Sequence, residues 1–485
     1  MQVDLNTPRA RNLALALLAM TQFVVVIDSS IVTVAIPSMG RALHMSQDQL
    51  TWVINAYVLA FGGFLLLGGR LADLLGRRRV FICGIALFTA ASLIGGLAHN
   101  QSLLFAARGI QGLGAALAAP AALSIITTTF EGTERNRALA VWGAVAGAGG
   151  AAGVLLGGAL TEYLGWPWVL FVNVPIGAFI LWQAPLRLPV ARDSKVDRGF
   201  DFLGAIVITG ATGLIVYTIV GAPDAGWGSP ATLGCGAGGL LLLGLFVAIE
   251  ARTARPLIPF AVFSLRTLRG ANIVGLLIGM ALVSMFFTTT LYLQQVLGLS
   301  ALSAGLAFLP LSLSIIGAAA AASPLVTRFG FKPVLILALL FVAAGLLWFS
   351  RISPEGSYTS DVLGPSILSG LGLGLSFVPI TIAAVARVDH PRAGLASGLI
   401  NASQQIGGAL GLAIVVSVAS SVSSGVGVLG GISVKPALTQ GFSSAYLVAA
   451  GFAILGTILA STLISSRDSR ELATAARQVE GTRLN

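Results

Sequence analysis

The stretch that decides the fold is Leu13 to Ser38, LALALLAMTQFVVVIDSSIVTVAIPS, in which Asp28 is the only charge. A helix rises about 1.5 Å per residue, so this run crosses about 30 Å of hydrocarbon with residues to spare. Similar runs recur along all 485 residues. The chain is 56% hydrophobic and only 9% charged, against roughly 25% charged in ordinary globular proteins, and its mean hydropathy is +0.92. A surface so poor in charge cannot be wetted, which excludes a soluble enzyme, a disordered chain and a disulfide-stapled secreted domain. Arg9 and Arg11 ahead of the run imitate a signal peptide, but the apolar stretch continues without a small-residue cleavage site and reads as a retained first span. Cys83 and Cys235 fall inside apolar runs, as small core residues do.

Apolar length, broken by turn residues and charges, places spans near 13–38, 49–68, 80–98, 102–128, 137–160, 167–187, 201–221, 231–250, 270–296, 302–322, 332–350, 361–386, 395–421 and 441–465, fourteen in all. Charge tests that count. With the N-terminus inside, 24 of the 28 Lys and Arg fall on the inner side, only Arg41, Arg351 and Lys435 fall outside, and Arg108 is left within a span. The asymmetry predicts fourteen spans with both termini inside. It also explains the net charge of +10 by membrane topology rather than by nucleic acid, because the basic residues are scattered among short loops.

The chain carries a faint duplication. Leu71-x-x-x-x-Gly76-x-Arg78 returns as Leu325-x-x-x-x-Gly330-x-Lys332 at an offset of 254, and Gln111-Gly112-Leu113-Gly114 returns as Ser369-Gly370-Leu371-Gly372 at 258. Repeated helical halves with a site between them are a transporter pattern. The expected all-α membrane fold is therefore an N-terminal six-helix bundle over 1–190, an inserted transmembrane hairpin over 191–260, a C-terminal six-helix bundle over 261–466 and a cytoplasmic tail over 467–485. Ala222 to Pro230, with Trp227, is the expected outside turn of the hairpin.

An ionisable side chain at a helix centre costs about 2.5–3.5 kcal/mol on insertion scales, so the two such residues within spans are informative. Asp28, midway along span 1, is the expected proton or cation site, in a cavity expected to be wet alternately from each side; a structural hydrogen bond to Ser or Thr on a neighbouring helix is the alternative. Arg108, early in span 4, has two open roles: a charge that acts on Asp28 or another cavity group, or a stitch that holds helix ends together through backbone carbonyls. In the segment Gly69-Arg70-Leu71-Ala72-Asp73-Leu74-Leu75-Gly76-Arg77-Arg78-Arg79, glycines permit a tight turn and Asp73 can accept charge-assisted bonds, the makings of a gating latch. Span 5 carries Gly149, Gly153, Gly157 and Gly158 at spacings that give one smooth, close-packing face. Gly147-x-Gly149-x-x-Ala152 is rejected as a dinucleotide fingerprint, since no strand precedes it and it lies within a span.

Polar and aromatic residues inside spans are the substrate-cavity candidates: Asn55, Tyr57, Gln111, Trp142, Asn173, Phe286, Phe287, Tyr292, Gln294, Asn401, Gln404 and Gln405. His44, His99 and His390 stand apart without ligand spacing, and no hydrolase, zinc or phosphate-loop motif is present in the sequence. Neither an enzyme nor a metal site is expected.

These segments together resemble the fourteen-span drug:proton antiporter branch of the major facilitator superfamily. Ile27 to Pro37 is similar to that branch's span 1 signature, with Ser30 where Thr is usual and Thr33 where Asn is usual. Trp52-Val53-Ile54-Asn55-Ala56-Tyr57 resembles its span 2 pattern, Gly69 to Arg79 its motif A, and Arg108 to Gly114 its motif B. Motif C, commonly Gly-Pro-x-x-Gly-Gly, here reads Gly153-Val154-Leu155-Leu156-Gly157-Gly158, without the proline that kinks the helix. The resemblance implies a monomeric multi-pass protein of a bacterial cytoplasmic membrane, surrounded by lipid, that exports hydrophobic small molecules in exchange for protons. It implies no cofactor, the proton being the coupling ion, and no nucleic-acid partner. With no mid-span acid in the second half, neutral, zwitterionic or anionic substrates are expected over dications. An exporter of lipid or cell-envelope precursors, or an uncoupled facilitator, would carry the same motifs.

Overall fold

The structure, a computed structural model, describes residues 7–130, 132–189, 202–253, 264–388, 393–430, 434–471 and 474. Among these every regular element is helical. Among the described residues eleven helices are long and apolar enough to cross a membrane, and shorter apolar helices cover Gln49–Leu65 and Ile206–Ile215. The helices separate into two compact units. One comprises Met1–Tyr217, Leu233–Leu257 and Ser300–Leu306, and the other Thr218–Thr232, Ile258–Leu299 and Ala307–Asn485.

In the first unit, α1 (Pro8–Leu43) begins where the Thr7 hydroxyl accepts the Ala10 N–H, with Pro8 filling the first turn, where no N–H is needed. α2 (Gln47–Leu75) starts on a reciprocal cap between Ser46 and Gln49. α3 (Arg77–Gly96) follows after Gly76 alone, whose φ of 95° is one that glycine adopts without strain. α4 (Gln101–Thr129) is capped by Asn100, and α5 (Gly132–Tyr163) leads to a span broken into α6 (Trp168–Phe171) and α7 (Asn173–Arg187). In α8 (Phe202–Ala225), the Thr209 hydroxyl donates to the Gly63 carbonyl of α2. α9 (Pro230–Arg252) leaves Leu233, Leu240, Leu241 and Leu245 exposed, as a helix solvated by lipid does.

The second unit holds α10 (Arg266–Leu291), extended by a π-helical turn over Tyr292–Val296. It continues with α12 (Leu309–Phe329), α13 (Phe331–Phe349), α14 (Gly364–Val385), entered through a π-helical turn over Tyr358–Leu363, α15 (Ala393–Gly430) and α16 (Val434–Leu463). The short α11 (Ala301–Ala307) lies almost wholly within the first unit's residues.

The duplicated motifs do the same work in both units. Gly330, with φ 85°, makes the one-residue turn between α12 and α13 as Gly76 does between α2 and α3. A Cβ on Gly112 would meet the Tyr57 carbonyl oxygen of α2 at 2.2 Å, and one on Gly114 the Phe88 nitrogen of α3 at 2.5 Å. The repeat glycines behave alike: Gly370 seats α14 on Leu311 of α12, and Gly372 seats it on Ala338 of α13. Only glycine lets three backbones approach so closely. Arg78 closes the pattern by donating to the Pro185 and Leu188 carbonyls at the end of α7, while Lys332 donates to Ser461 O at the end of α16. Each cation satisfies carbonyls that a helix end leaves open.

Candidate functional site

Asp28 lies at the middle of α1 with no accessible surface, and its carboxylate faces other helices rather than lipid or an open chamber. Oδ2 accepts the Arg108 Nη1 hydrogen bond at 2.6 Å; Oδ1 accepts from Gln111 Nε2 and Asn173 Nδ2, both at 2.7 Å. The same two amide nitrogens donate to Ser92 Oγ, at 2.6 and 3.2 Å. Asp28, Gln111, Ser92 and Asn173 thus close a hydrogen-bonded ring drawn from α1, α4, α3 and α7. Arg108, 1% exposed, is further held by the Gln111 Oε1 atom at 2.7 Å, the Val53 carbonyl of α2 at 3.0 Å and the face of the Tyr57 ring at 4.4 Å. Arg108 thus meets both Asp28 and a backbone carbonyl, the latter from within α2 rather than from a helix end.

Local sequence explains the convergence. Arg108 and Gln111 are three residues apart on α4, so they share one helix face, and the contact with Arg108 fixes which end of the Gln111 amide faces the carboxylate. Asn173 begins α7 just after the break at Val172, which aims its side chain inward. On the other side of α1, Gly149, Gly153 and Gly157 of α5 pack against Phe23, Ile27, Ser30 and Ile31; a Cβ on Gly153 would meet the Ile27 carbonyl oxygen at 2.8 Å. The four-residue glycine spacing therefore seats α5 on the helix that carries the acid. Gly158 instead approaches the Ala301 carbonyl of α11.

Chemically the cluster is an ion pair out of water, its carboxylate accepting from Arg108, Gln111 and Asn173. An added proton on either oxygen displaces one of these donors and leaves the guanidinium without its counter-ion. Among the described residues Asn173 Oδ1 in the ring, and both side-chain polar atoms of buried Asn55 on α2, have no hydrogen-bond partner. At the repeat positions of the second unit Ser366 and Ser369 replace Arg108 and Gln111, and Phe286 replaces Asp28, so the pair is not repeated there.

The remaining candidates disperse. Phe286 stacks on Phe308 at 5.5 Å, and Phe287 is buried. Tyr292 spends its hydroxyl on Asp361 Oδ2 at 2.7 Å and the Ser353 carbonyl at 2.8 Å, which ties the end of α10 to the start of α14. Trp142, Gln294, Gln404 and Gln405 are half-buried, and Asn401 is exposed. In the turn segment, Gly69 rests against Pro120, while the side chains of Arg70 and Asp73 lie outside the described residues, so the proposed latch stays an expectation. Arg77 is half-buried beside the turn.

Ser92 and Asp361 were missed by reasoning from sequence. A lone Ser among apolar residues carries no signal, and Asp361 follows a polar loop, where an acid is ordinary.

The sequence pattern of the Major Facilitator Superfamily matches residues 18–412, most of the chain and all of the ion-pair cluster. The chain belongs to the Major Facilitator Superfamily. It is thus a transporter rather than an enzyme, and a multi-pass protein of the cell membrane. It is 44% identical to the cephamycin export protein of Amycolatopsis lactamdurans over 85% of this chain and 86% of that one. It is 40% identical to the puromycin resistance protein of Streptomyces alboniger over 93% and 91%. The fold is that of a bacterial homologue of the human lysosomal transporter Spinster, inward-facing and occupied, at a TM-score of 0.66 and 15% identity over 96% of this chain and 99% of that one.

Proposed function

We propose that this protein exports amphipathic or hydrophobic small molecules, antibiotics among them, in exchange for protons, through fourteen spans with both termini in the cytoplasm. The observation that carries the reading is the sealed Asp28–Arg108 pair, in a chain whose similar proteins are named for antibiotic export and resistance. A proton arriving at Asp28 removes the charge that holds Arg108. Breaking a buried pair by neutralising one partner costs about 3–5 kcal/mol, and a two-state equilibrium moves from 1:99 to 99:1 for about 5.5 kcal/mol. Protonation of this one carboxyl is therefore large enough to drive most of a switch in access.

Since Asp28 shows no exposed surface here, proton entry belongs to a second arrangement in which α1, α4 and α7 part. Arg108 already balances Asp28, so the cluster offers no free negative charge to a dication, and neutral, zwitterionic or anionic substrates fit better. The test is flux in inverted membrane vesicles with a panel of dyes and antibiotics, with and without an imposed pH gradient. Gradient-dependent uptake of hydrophobic antibiotics supports the proposal; uptake indifferent to the gradient identifies a facilitator, and uptake of lipid-linked precursors alone identifies a different cargo.

A further inference from the structure

A cavity of about 390 Å³ opens among four helix ends of the second unit: the starts of α10 and α13 and the residues just beyond α14 and α16. Its walls carry three cations, Arg266, Lys332 and Arg387, against one carboxylate, Asp468. That carboxylate is already committed. Oδ1 accepts from Arg387 Nε at 2.5 Å and Oδ2 from the Thr267 hydroxyl at 2.6 Å. Arg387 is committed too, its second nitrogen donating to Glu471 at 2.6 Å. It holds a φ of 61°, rare for a residue with a Cβ, so both carboxylates keep it in place.

Arg266 and Lys332 differ. Among the described residues neither meets a carboxylate: Arg266 Nη2 donates to the Thr462 carbonyl at 2.6 Å, and Lys332 Nζ donates to the Ser461 carbonyl at 2.7 Å and to Ser466 Oγ at 3.0 Å. Closing the end of α16 explains these bonds but uses only a fraction of the donors; among the described residues most of the guanidinium N–H groups and one ammonium hydrogen have no partner. At the repeat position in the first unit, Arg78 donates to two carbonyls at the end of α7, Pro185 and Leu188. With Asp468 taken up by Arg387 and Thr267, Arg266 and Lys332 line the cavity without a carboxylate partner among the described residues, and their repulsion is a cost that a bound anion would remove.

We propose that this cavity binds a phosphate group, with Arg266 and Lys332 as its charged donors and the Ser466 hydroxyl as a third contact. A guanidinium presents parallel N–H bonds that match phosphate geometry, and an ammonium beside it adds a point charge. The cavity lies where four apolar helices end, the depth at which lipid phosphates sit, and basic pockets between span ends are suited to head groups. It is also far larger than the roughly 30 Å³ of one water, so it admits a phosphoester with its substituent. The phosphate can come from a lipid head group or from solution. Bound there, it would tie α10, α13 and α16 together.

The full-length protein in detergent is titrated with dioleoyl phosphatidylglycerol, with dioleoylglycerol, which lacks the phosphate, and with inorganic phosphate. Thermal unfolding and intact-complex mass spectrometry follow binding. The phosphate-bearing lipid should bind at least about tenfold more tightly than dioleoylglycerol, and the R266Q/K332Q variant should lose that margin while R266K/K332R keeps part of it. Tighter binding of the lipid than of inorganic phosphate assigns a head-group site; equal binding of both assigns a site for free phosphate. Equal binding of dioleoylglycerol and phosphatidylglycerol, with no effect of inorganic phosphate, overturns the proposal, and this comparison needs no variant. An unchanged margin in folded R266Q/K332Q overturns it as well.

Discussion

Neutralising the two members of the ion pair singly and together should give strongly non-additive losses of stability. In Asp28→Asn the new amide turns an N–H toward Arg108 Nη1, which sat 2.6 Å from a carboxylate oxygen, and a buried cation is left unpaired. Arg108 keeps the Val53 carbonyl, the Gln111 oxygen and the Tyr57 ring, so the cost belongs at the low end of the range for such losses, about 3 kcal/mol. Arg108→Gln strands the carboxylate with only the Gln111 and Asn173 amides, at a similar cost of about 3 kcal/mol. The double variant contains no charge to strand and should lose about 1 kcal/mol, an apparent coupling of about 5 kcal/mol. Thermal or denaturant unfolding of the purified protein in detergent, followed by tryptophan fluorescence, measures all four corners. A double variant about 6 kcal/mol less stable than the parent, the plain sum, would refute a direct charge interaction between the two side chains.

Three further outcomes follow from packing and charge. Gly112→Ala sets a Cβ 2.2 Å from the Tyr57 carbonyl, with no flexible side chain to yield, so α2 and α4 must part; the expected loss is at least about 2 kcal/mol, read as lower yield of folded protein and earlier melting. Tyr292→Phe removes a bond shared with Asp361 and Ser353 and should cost about 1–2 kcal/mol, with faster hydrogen exchange at the start of α14. Burial alone would push the Asp468 carboxyl up, but the bonds from Thr267 and Arg387 outweigh it and hold the group below its ordinary value. Its contribution is therefore complete above the unfolded value near pH ~3.9 and fades as pH falls through the folded one. Protection from hydrogen exchange over residues 466–471, taken relative to the intrinsic rate at each pH, should fall on acidification below about pH 4, and Asp468→Asn should show the lowered protection at neutral pH.

Much of this arrangement was legible in one dimension because lipid leaves few ways to fold. Unbroken apolar runs have to become helices, since every backbone polar group must be satisfied within its own segment. The repeat was legible for a related reason: Gly76 and Gly330 occupy backbone conformations open to few residues, and Gly112 and Gly370 sit where no side chain fits. Asp28 and Arg108 drew attention because charge is costly in hydrocarbon, and they prove to be partners. The rest of the ring was harder to see. Gln111 and Asn173 read as substrate contacts, yet their amides are spent on the carboxylate, and Ser92 was invisible because a hydroxyl on an apolar helix is cheap and common. Tyr292 likewise looked like a cavity residue, while its hydroxyl serves a clasp whose other half, Asp361, lies 69 residues away. Pairing of polar groups across helices has no period in sequence.

Proton movement during transport tests the role of Asp28 most directly. With the protein reconstituted in liposomes that enclose a pH-sensitive dye, adding an exported antibiotic to the parent should shift the internal pH in step with substrate flux. Asp28→Asn, confirmed as folded, should abolish that shift. A folded Asp28→Asn protein that still moves protons with its substrate would contradict the assignment of coupling to this carboxyl group.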